Sequence, residues 1–228
     1  MAVHFVHIGK TGGTAIKQAV RAAGAHDTPR GPLLLHPHRI TLRDLPADDV
    51  AVFCVRDPVD RFVSGFESRR RKGRPRYYIE WTPAEAHAFA RFPTPQSLGR
   101  ALSSGDPAER AAAEAAMRSL VQPARGLDHW LVGSSYLQHH RHQILYIARQ
   151  ETLSQDWGRL KEAVGLAPWL RLPAGTVAAH RRVGHPPALD GEARRNLQRW
   201  YWRDHAILRW CEKLRKERGW SSEPDTGP

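Results

Sequence analysis

Three groups of residues carry reactive side chains at spacings a folded chain could use. Near the start, Gly9-Lys10-Thr11-Gly12-Gly13-Thr14 joins paired glycines to a lysine and two hydroxyl residues. Glycines lack Cβ and let successive backbone N–H groups turn into one loop, and a helix starting at Thr14 adds the positive end of its dipole. With the Lys10 ammonium and the Thr11 and Thr14 hydroxyls, the chemistry is the binding of a phosphate-like oxyanion. Further on, His36-Pro37-His38 sets two imidazoles about a proline, and a neutral imidazole can take a proton near physiological pH. The third group is Arg56 with Ser64 eight positions later. A guanidinium holds a phosphate through two parallel N–H bonds, and a hydroxyl about two helical turns on can reach a third oxygen.

Hydrophobic spacing predicts the elements that must position these groups. Val3, Phe5, Val6 and Ile8 make a strand-length apolar run, and Ile16, Ala19, Val20 and Ala23 repeat at the spacing of one buried helix face. The first group therefore lies in a strand-loop-helix unit. Leu33-Leu34-Leu35 is a second short apolar run, leading into His36. Residues 50–55 (VAVFCV), bounded by Asp48-Asp49 and Arg56-Asp57-Pro58, read as a parallel strand buried on both faces. A helix follows with Pro58 in its first turn and Val59, Phe62, Val63 and Phe66 on one face, a second strand-loop-helix unit.

The rest of the chain carries less chemistry. Residues 77–142 read as helical, with a capping box at Thr82-Pro83-Ala84-Glu85, further starts at Pro95 and Asp106-Pro107, and an alanine-rich helix from Ala108 to Val121. His139, His140 and His142 have no cysteine or carboxylate at ligand spacing beside them, so no metal is expected. Residues 143–148 (QILYIA) predict a third strand, followed by a helix from Ser154 to Val164 that Gly165 stops. Residues 171–187 form a loop by their glycines and prolines, and one long helix runs from Asp190 to about Arg218. The expected fold is α/β, a P-loop-like central parallel sheet flanked by helices. A single domain spans residues 1–220 with a helical insertion, and residues 221–228 form a disordered tail.

The chain of 228 residues is long enough for one full core, and 41% hydrophobic residues with eight tryptophans fit a globular protein. A net charge of +12 favours acidic partners without choosing among nucleotide, anionic polysaccharide and nucleic acid. Cys54 and Cys211 lie in apolar surroundings and read as buried thiols. No run has the length of a membrane span, and the first strand starts within three residues of Met1, from which no signal peptide and a cytoplasmic location are expected.

The Walker loop of ATP-binding proteins fails as a match, because its first glycine would fall on His4. With the glycine pair after the lysine, the loop resembles the 5′-phosphosulfate loop of sulfotransferases that use 3′-phosphoadenosine 5′-phosphosulfate (PAPS), in particular the carbohydrate enzymes with P-K-T-G/A-G/S-T; here Gly9 replaces the proline. The run C-V-R-D-P-V-D-R-F-V-S-G-F at residues 54–66 resembles the 3′-phosphate motif of the same family, V-R-D-P-x-x-R-x-x-S-x-[YF]. His36 and His38 resemble the His-x-His of uronyl 2-O-sulfotransferases.

That resemblance implies a sulfotransferase that moves the sulfuryl group of PAPS to a hydroxyl of a glycan or glycolipid, with PAP as product. It implies that Gly9, Lys10, Thr11, Gly12, Gly13 and Thr14 hold the 5′-phosphosulfate, and that Arg56 and Ser64 hold the 3′-phosphate. Lys10 and a histidine base are catalytic, His38 the first choice and His36 the second. A basic loop before the last helix closes over the donor in this family, which points to Arg181 and Arg182. Arg61 matches a family arginine and reads equally well as a salt-bridged surface residue, and Tyr201-x-x-Asp204 reads as packing. The basic run Arg69 to Arg76 is expected to bind the acceptor, with a solvated face or a nucleic-acid tract as other readings. A P-loop kinase acting on a small molecule with ATP is the alternative function.

Overall fold

The structure is a computed structural model that describes residues 1–174 and 188–220. Elements follow the chain as β1 (Val3–Val6), α1 (Gly13–Ala22), β2 (Asp27–Thr28), β3 (Gly31–Leu35), β4 (Val50–Val55), α2 (Pro58–Arg70), α3 (Pro83–Arg91), α4 (Pro95–Ala101) and α5 (Pro107–Ser119). They continue as α6 (Asp128–Leu131), α7 (Ser134–His139), β5 (Ile144–Arg149), α8 (Leu153–Val164), α9 (Gly191–Trp200) and α10 (Trp202–Glu217). The described residues divide into two compact units, 1–56 with 127–174 and 206–220, and 57–126 with 188–205.

The first unit is an α/β layer structure. Its sheet has the order β2-β3-β1-β4-β5, with β3, β1, β4 and β5 parallel and β2 antiparallel on β3. Alternation along β4 explains why both faces are covered. Val52 and Cys54 pack with Ile16, Val20, Trp157 and Leu160 of α1 and α8. Ala51, Phe53 and Val55 pack with Trp130, Leu137, Leu208 and Leu214 of α6, α7 and α10. A strand buried on both faces has no use for alternating polarity, so its sequence is a continuous apolar run. Cys54 and Cys211 are free and buried, as their surroundings predicted.

Strand order fixes where ligand chemistry can sit. From β1 the chain crosses to β3 on one side, and from β4 it continues to β5 on the other, so the carboxyl ends of β1 and β4 flank a topological switch point. Open parallel sheets bind ligands in the crevice at that place, because the two following loops diverge there.

The second unit is helical among its described residues. Val59, Phe62 and Phe66 of α2 meet Phe89, Leu98, Met117 and Leu197 from α3, α4, α5 and α9. Side chains of Asp57, Thr82, Thr94, Asp106 and Asp190 cap these five helices. Residues 190–218, expected as one helix, form two: α9 ends at Trp200, with Tyr201 as its C-cap at φ −95° and ψ 29°, and α10 begins at Trp202. The break has a packing cause, since Tyr201 is buried and its hydroxyl donates to the Pro123 carbonyl at 2.8 Å. Residues 27–28 form the short edge strand β2, antiparallel to β3. No helix among the described residues is long and apolar enough to cross a membrane.

Candidate functional site

The loop between β1 and α1 is built so that side chains stay out of it. Gly12 is the N-cap of α1 at φ 91°, and a Cβ there would lie 2.8 Å from Leu153 Cδ2. Gly13 opens the helix, and a Cβ there would lie 2.5 Å from His7 Cδ2. Real carbon atoms do not approach that closely, so both positions need glycine for different reasons. No side chain caps α1 and no acidic residue lies in its first turn, so α1 itself supplies no counter-charge to its positive end. Thr11 is buried and its hydroxyl donates to the Ile8 carbonyl at 3.0 Å, closing the loop from within. Thr14 is partly buried on the first turn of α1.

Lys10 adopts φ 68°, the left-handed region that disfavours a side chain by about 1–3 kcal/mol. Its carbonyl accepts from Arg56 Nη1 at 3.4 Å, so the loop after β1 and the end of β4 touch at the switch point. The two groups that the sequence put at separate strand ends, Lys10 and Arg56, are thus brought together. Ser64 lies on α2 in the second unit and is partly buried. Arg181 and Arg182 lie outside the described residues, as does the expected tail at 221–228.

The histidines occupy the neighbouring edge of the same sheet. β3 runs parallel to β1, and the His36 N–H continues the ladder by donating to the Phe5 carbonyl at 3.1 Å. His38 Nδ1 lies 2.9 Å from the His7 carbonyl oxygen, with the two rings 3.8 Å apart. A carbonyl oxygen only accepts, so Nδ1 carries the hydrogen and the lone pair of the neutral ring sits on Nε2. The His38 carbonyl in turn accepts from Trp130 Nε1 at 2.7 Å, fixing the backbone that presents the ring. His36 is engaged differently. Its Nε2 lies 2.7 Å from His4 Nδ1, and its carbonyl accepts from Lys17 Nζ at 2.8 Å. Burial, then His4 and Lys17, push its pKa below the usual histidine value against an opposing pull from Asp44.

Four residues of this cluster, His4, His7, Lys17 and Asp49, were not singled out by sequence. His4 and His7 did leave a signal, being titratable residues inside a run that reads as a buried strand, and both are buried. Lys17 and Asp49 enter only through packing. Lys17 is buried and its Nζ also lies 3.5 Å from His7 Nδ1, and Asp49 accepts from His4 Nε2 at 2.9 Å.

Several basic residues turn out to hold the second unit together. Arg69 is buried and donates to Glu85 Oε1 at 2.8 Å and to the carbonyls of Ile79 and Glu80, both at 3.2 Å. Arg70 and Arg71 both pair with Glu67, at 3.3 and 3.5 Å, and Lys72 pairs with Glu80. Four of the six cations in the run expected at the acceptor are therefore paired with three carboxylates of their own unit. Arg61 donates to the Arg125 carbonyl and lies 3.5 Å from Asp204, so it is salt-bridged, but it is buried and not the surface residue expected. The Tyr201 and Asp204 pair is packing, as the sequence suggested. Among the described residues no cluster of metal-ligating side chains occurs.

Compared with known proteins, the chain matches no protein-family model and no curated sequence.

Proposed function

We propose that this chain is a PAPS-dependent sulfotransferase that moves a sulfuryl group to a hydroxyl of a carbohydrate-type acceptor. The observation that carries the reading is the meeting of Lys10 and Arg56 at the switch point, beside an uncapped helix end and a histidine with its basic nitrogen on Nε2. The sequence motifs supply the identity of the anion, and the geometry supports one ligand touching both strand ends.

In the proposed reaction the acceptor oxygen attacks sulfur in line as the bond from sulfur to the bridging 5′-phosphate oxygen breaks. His38 Nε2 takes the acceptor's proton, and PAP leaves with the electron pair on its phosphate. Lys10 neutralises the charge growing on that oxygen, while the loop amides and the α1 terminus hold the phosphosulfate. Fixed cations and dipoles aimed at the developing charge carry most of the rate in such displacements. Arg56 selects a 3′-phosphate and so discriminates against ATP. The glycan or glycolipid nature of the acceptor follows from the family resemblance, and the net charge of +12 favours an anionic one.

Calorimetry with 3′,5′-ADP, 5′-AMP and ATP with magnesium tests the reading. Tight binding of 3′,5′-ADP alone supports it, and preferential binding of ATP with magnesium replaces it with the kinase. Salt-sensitive binding of nucleic acid without nucleotide binding would replace both.

A further inference from the structure

Beside the His38 ring, a second set of proton-carrying groups runs from the loop before β4 through β1 to β3. Asp49 Oδ1 accepts from the Ala2 backbone N–H at 2.6 Å, and Asp49 Oδ2 lies 2.9 Å from His4 Nε2. On the other side of the ring, His4 Nδ1 lies 2.7 Å from His36 Nε2, and the rings are nearly parallel at 13°. His4 is buried. Gln143 Nε2 donates to the carbonyls of Pro46 and Ala47, at 2.9 and 3.0 Å, and keeps the Asp49 loop in place.

The hydrogens in this line follow from what each group can do. An ionised carboxylate only accepts, so His4 Nε2 must carry a hydrogen, and a neutral His4 then has its lone pair on Nδ1. Two nitrogens 2.7 Å apart share one hydrogen, which must come from His36. His36 is thereby an Nε2–H tautomer with its lone pair on Nδ1, whereas His38 has its lone pair on Nε2. We propose that Asp49, His4 and His36 form one proton-holding line, in which Asp49 dictates the tautomer of His36 through the His4 ring and positions the turn that carries His38.

The line admits one added proton and no more. That proton can sit on His36 Nδ1, or the bridging hydrogen can move to His4 as His36 keeps the new one; a second would set two N–H groups head to head. The charge it brings faces Asp49 through His4 and Asp44 on the following turn, and it is opposed by Lys17 on α1. The Ala2 N–H and His4 hold the Asp49 carboxyl below the usual range, so it stays ionised while His36 titrates. Only the role of His38 as base rests on the proposed function; the line itself rests on its own hydrogen-bond geometry.

Substitution of the carboxylate by an amide gives a sharp test. In Asp49→Asn a single oxygen must serve both the Ala2 N–H, which can only donate, and His4, which can change tautomer. The oxygen goes to Ala2, the amide N–H₂ faces His4, and both rings invert, so that His36 acquires a hydrogen on Nδ1. Nitrogen-resolved NMR of the imidazoles is expected to show His36 Nδ1 in the lone-pair range in the unmodified protein and in the N–H range in Asp49→Asn. A lone pair on His36 Nε2 in the unmodified protein, or an unchanged His36 in a folded Asp49→Asn, would overturn the proposal. A pH titration of the unmodified protein needs no variant: the same NMR should show His36 Nδ1 as the nitrogen that takes up the added proton, and a His36 whose Nδ1 already carries hydrogen before the titration begins would defeat it. Neither measurement involves a nucleotide, so failure here is separate from failure of the sulfotransferase reading.

Discussion

Lys10 is the residue whose conformation and chemistry pull in different directions. Its left-handed backbone is one that glycine adopts without strain, and the proposed function gives the ammonium a role that offsets the conformational cost. Lys10→Gly is expected to leave stability within about 1 kcal/mol of the parent, by chemical denaturation, while abolishing transfer from labelled donor. Retained transfer would remove Lys10 from the reaction. His36 makes a second residue-scale prediction, on pH. Its folded pKa is held below the usual value, first by burial and then by His4 and Lys17, so as pH falls the unfolded chain binds the proton before the folded one does. The stability contribution is thus complete above the unfolded value of about 6.5 and declines below it towards the lower folded pKa. Urea denaturation at neutral and mildly acid pH should show the parent losing stability across that window, and His36→Gln losing less.

At the scale of elements, the start of α1 rests on a close approach between Gly13, its first residue, and His7, just after β1. Gly13→Ala would press its methyl group on the His7 ring, and overpacking of this kind costs about 1–3 kcal/mol. Removing the ring should make room, so Gly13→Ala in a His7→Ala background is expected to cost much less than in the parent. A double-mutant cycle by thermal or urea unfolding reads the coupling, and strict additivity would contradict the contact. Strands and helix starts were legible because their signals are local: a continuous apolar run for β4, proline at the first turn for α2, α3, α4 and α5. The break between α9 and α10 was not, because the periodicity continues through Tyr201 and only its bond to Pro123, 78 positions away, interrupts it.

For the whole molecule, the decisive arrangement is the strand order, which sets the ends of β1 and β4 side by side. A ligand bound there stabilises the folded state by mass action. Saturation with 3′,5′-ADP at a hundredfold excess over its Kd should add about 2.7 kcal/mol, read as a rise in Tm. ATP with magnesium should give a much smaller rise, and Arg56→Ala should lose most of the 3′,5′-ADP effect. Equal shifts with both nucleotides would argue against selection of a 3′-phosphate.

What the sequence determined by itself was the inventory: a glycine-lysine-threonine loop after one strand, an arginine after another, two histidines about a proline, and an α/β pattern to carry them. These are contiguous motifs, and their physics is that of neighbouring residues. Tertiary structure alone decided that Lys10 meets Arg56, that Arg61 and Arg69 are buried ion-pair partners, and that Asp49 reaches His36 through His4. Those pairings join residues from 16 to 143 positions apart, and some hang on which strands become neighbours, as the 45-residue span from His4 to Asp49 does. Hydrophobic periodicity says which face of a strand is buried, and it leaves unsaid which strand lies beside it.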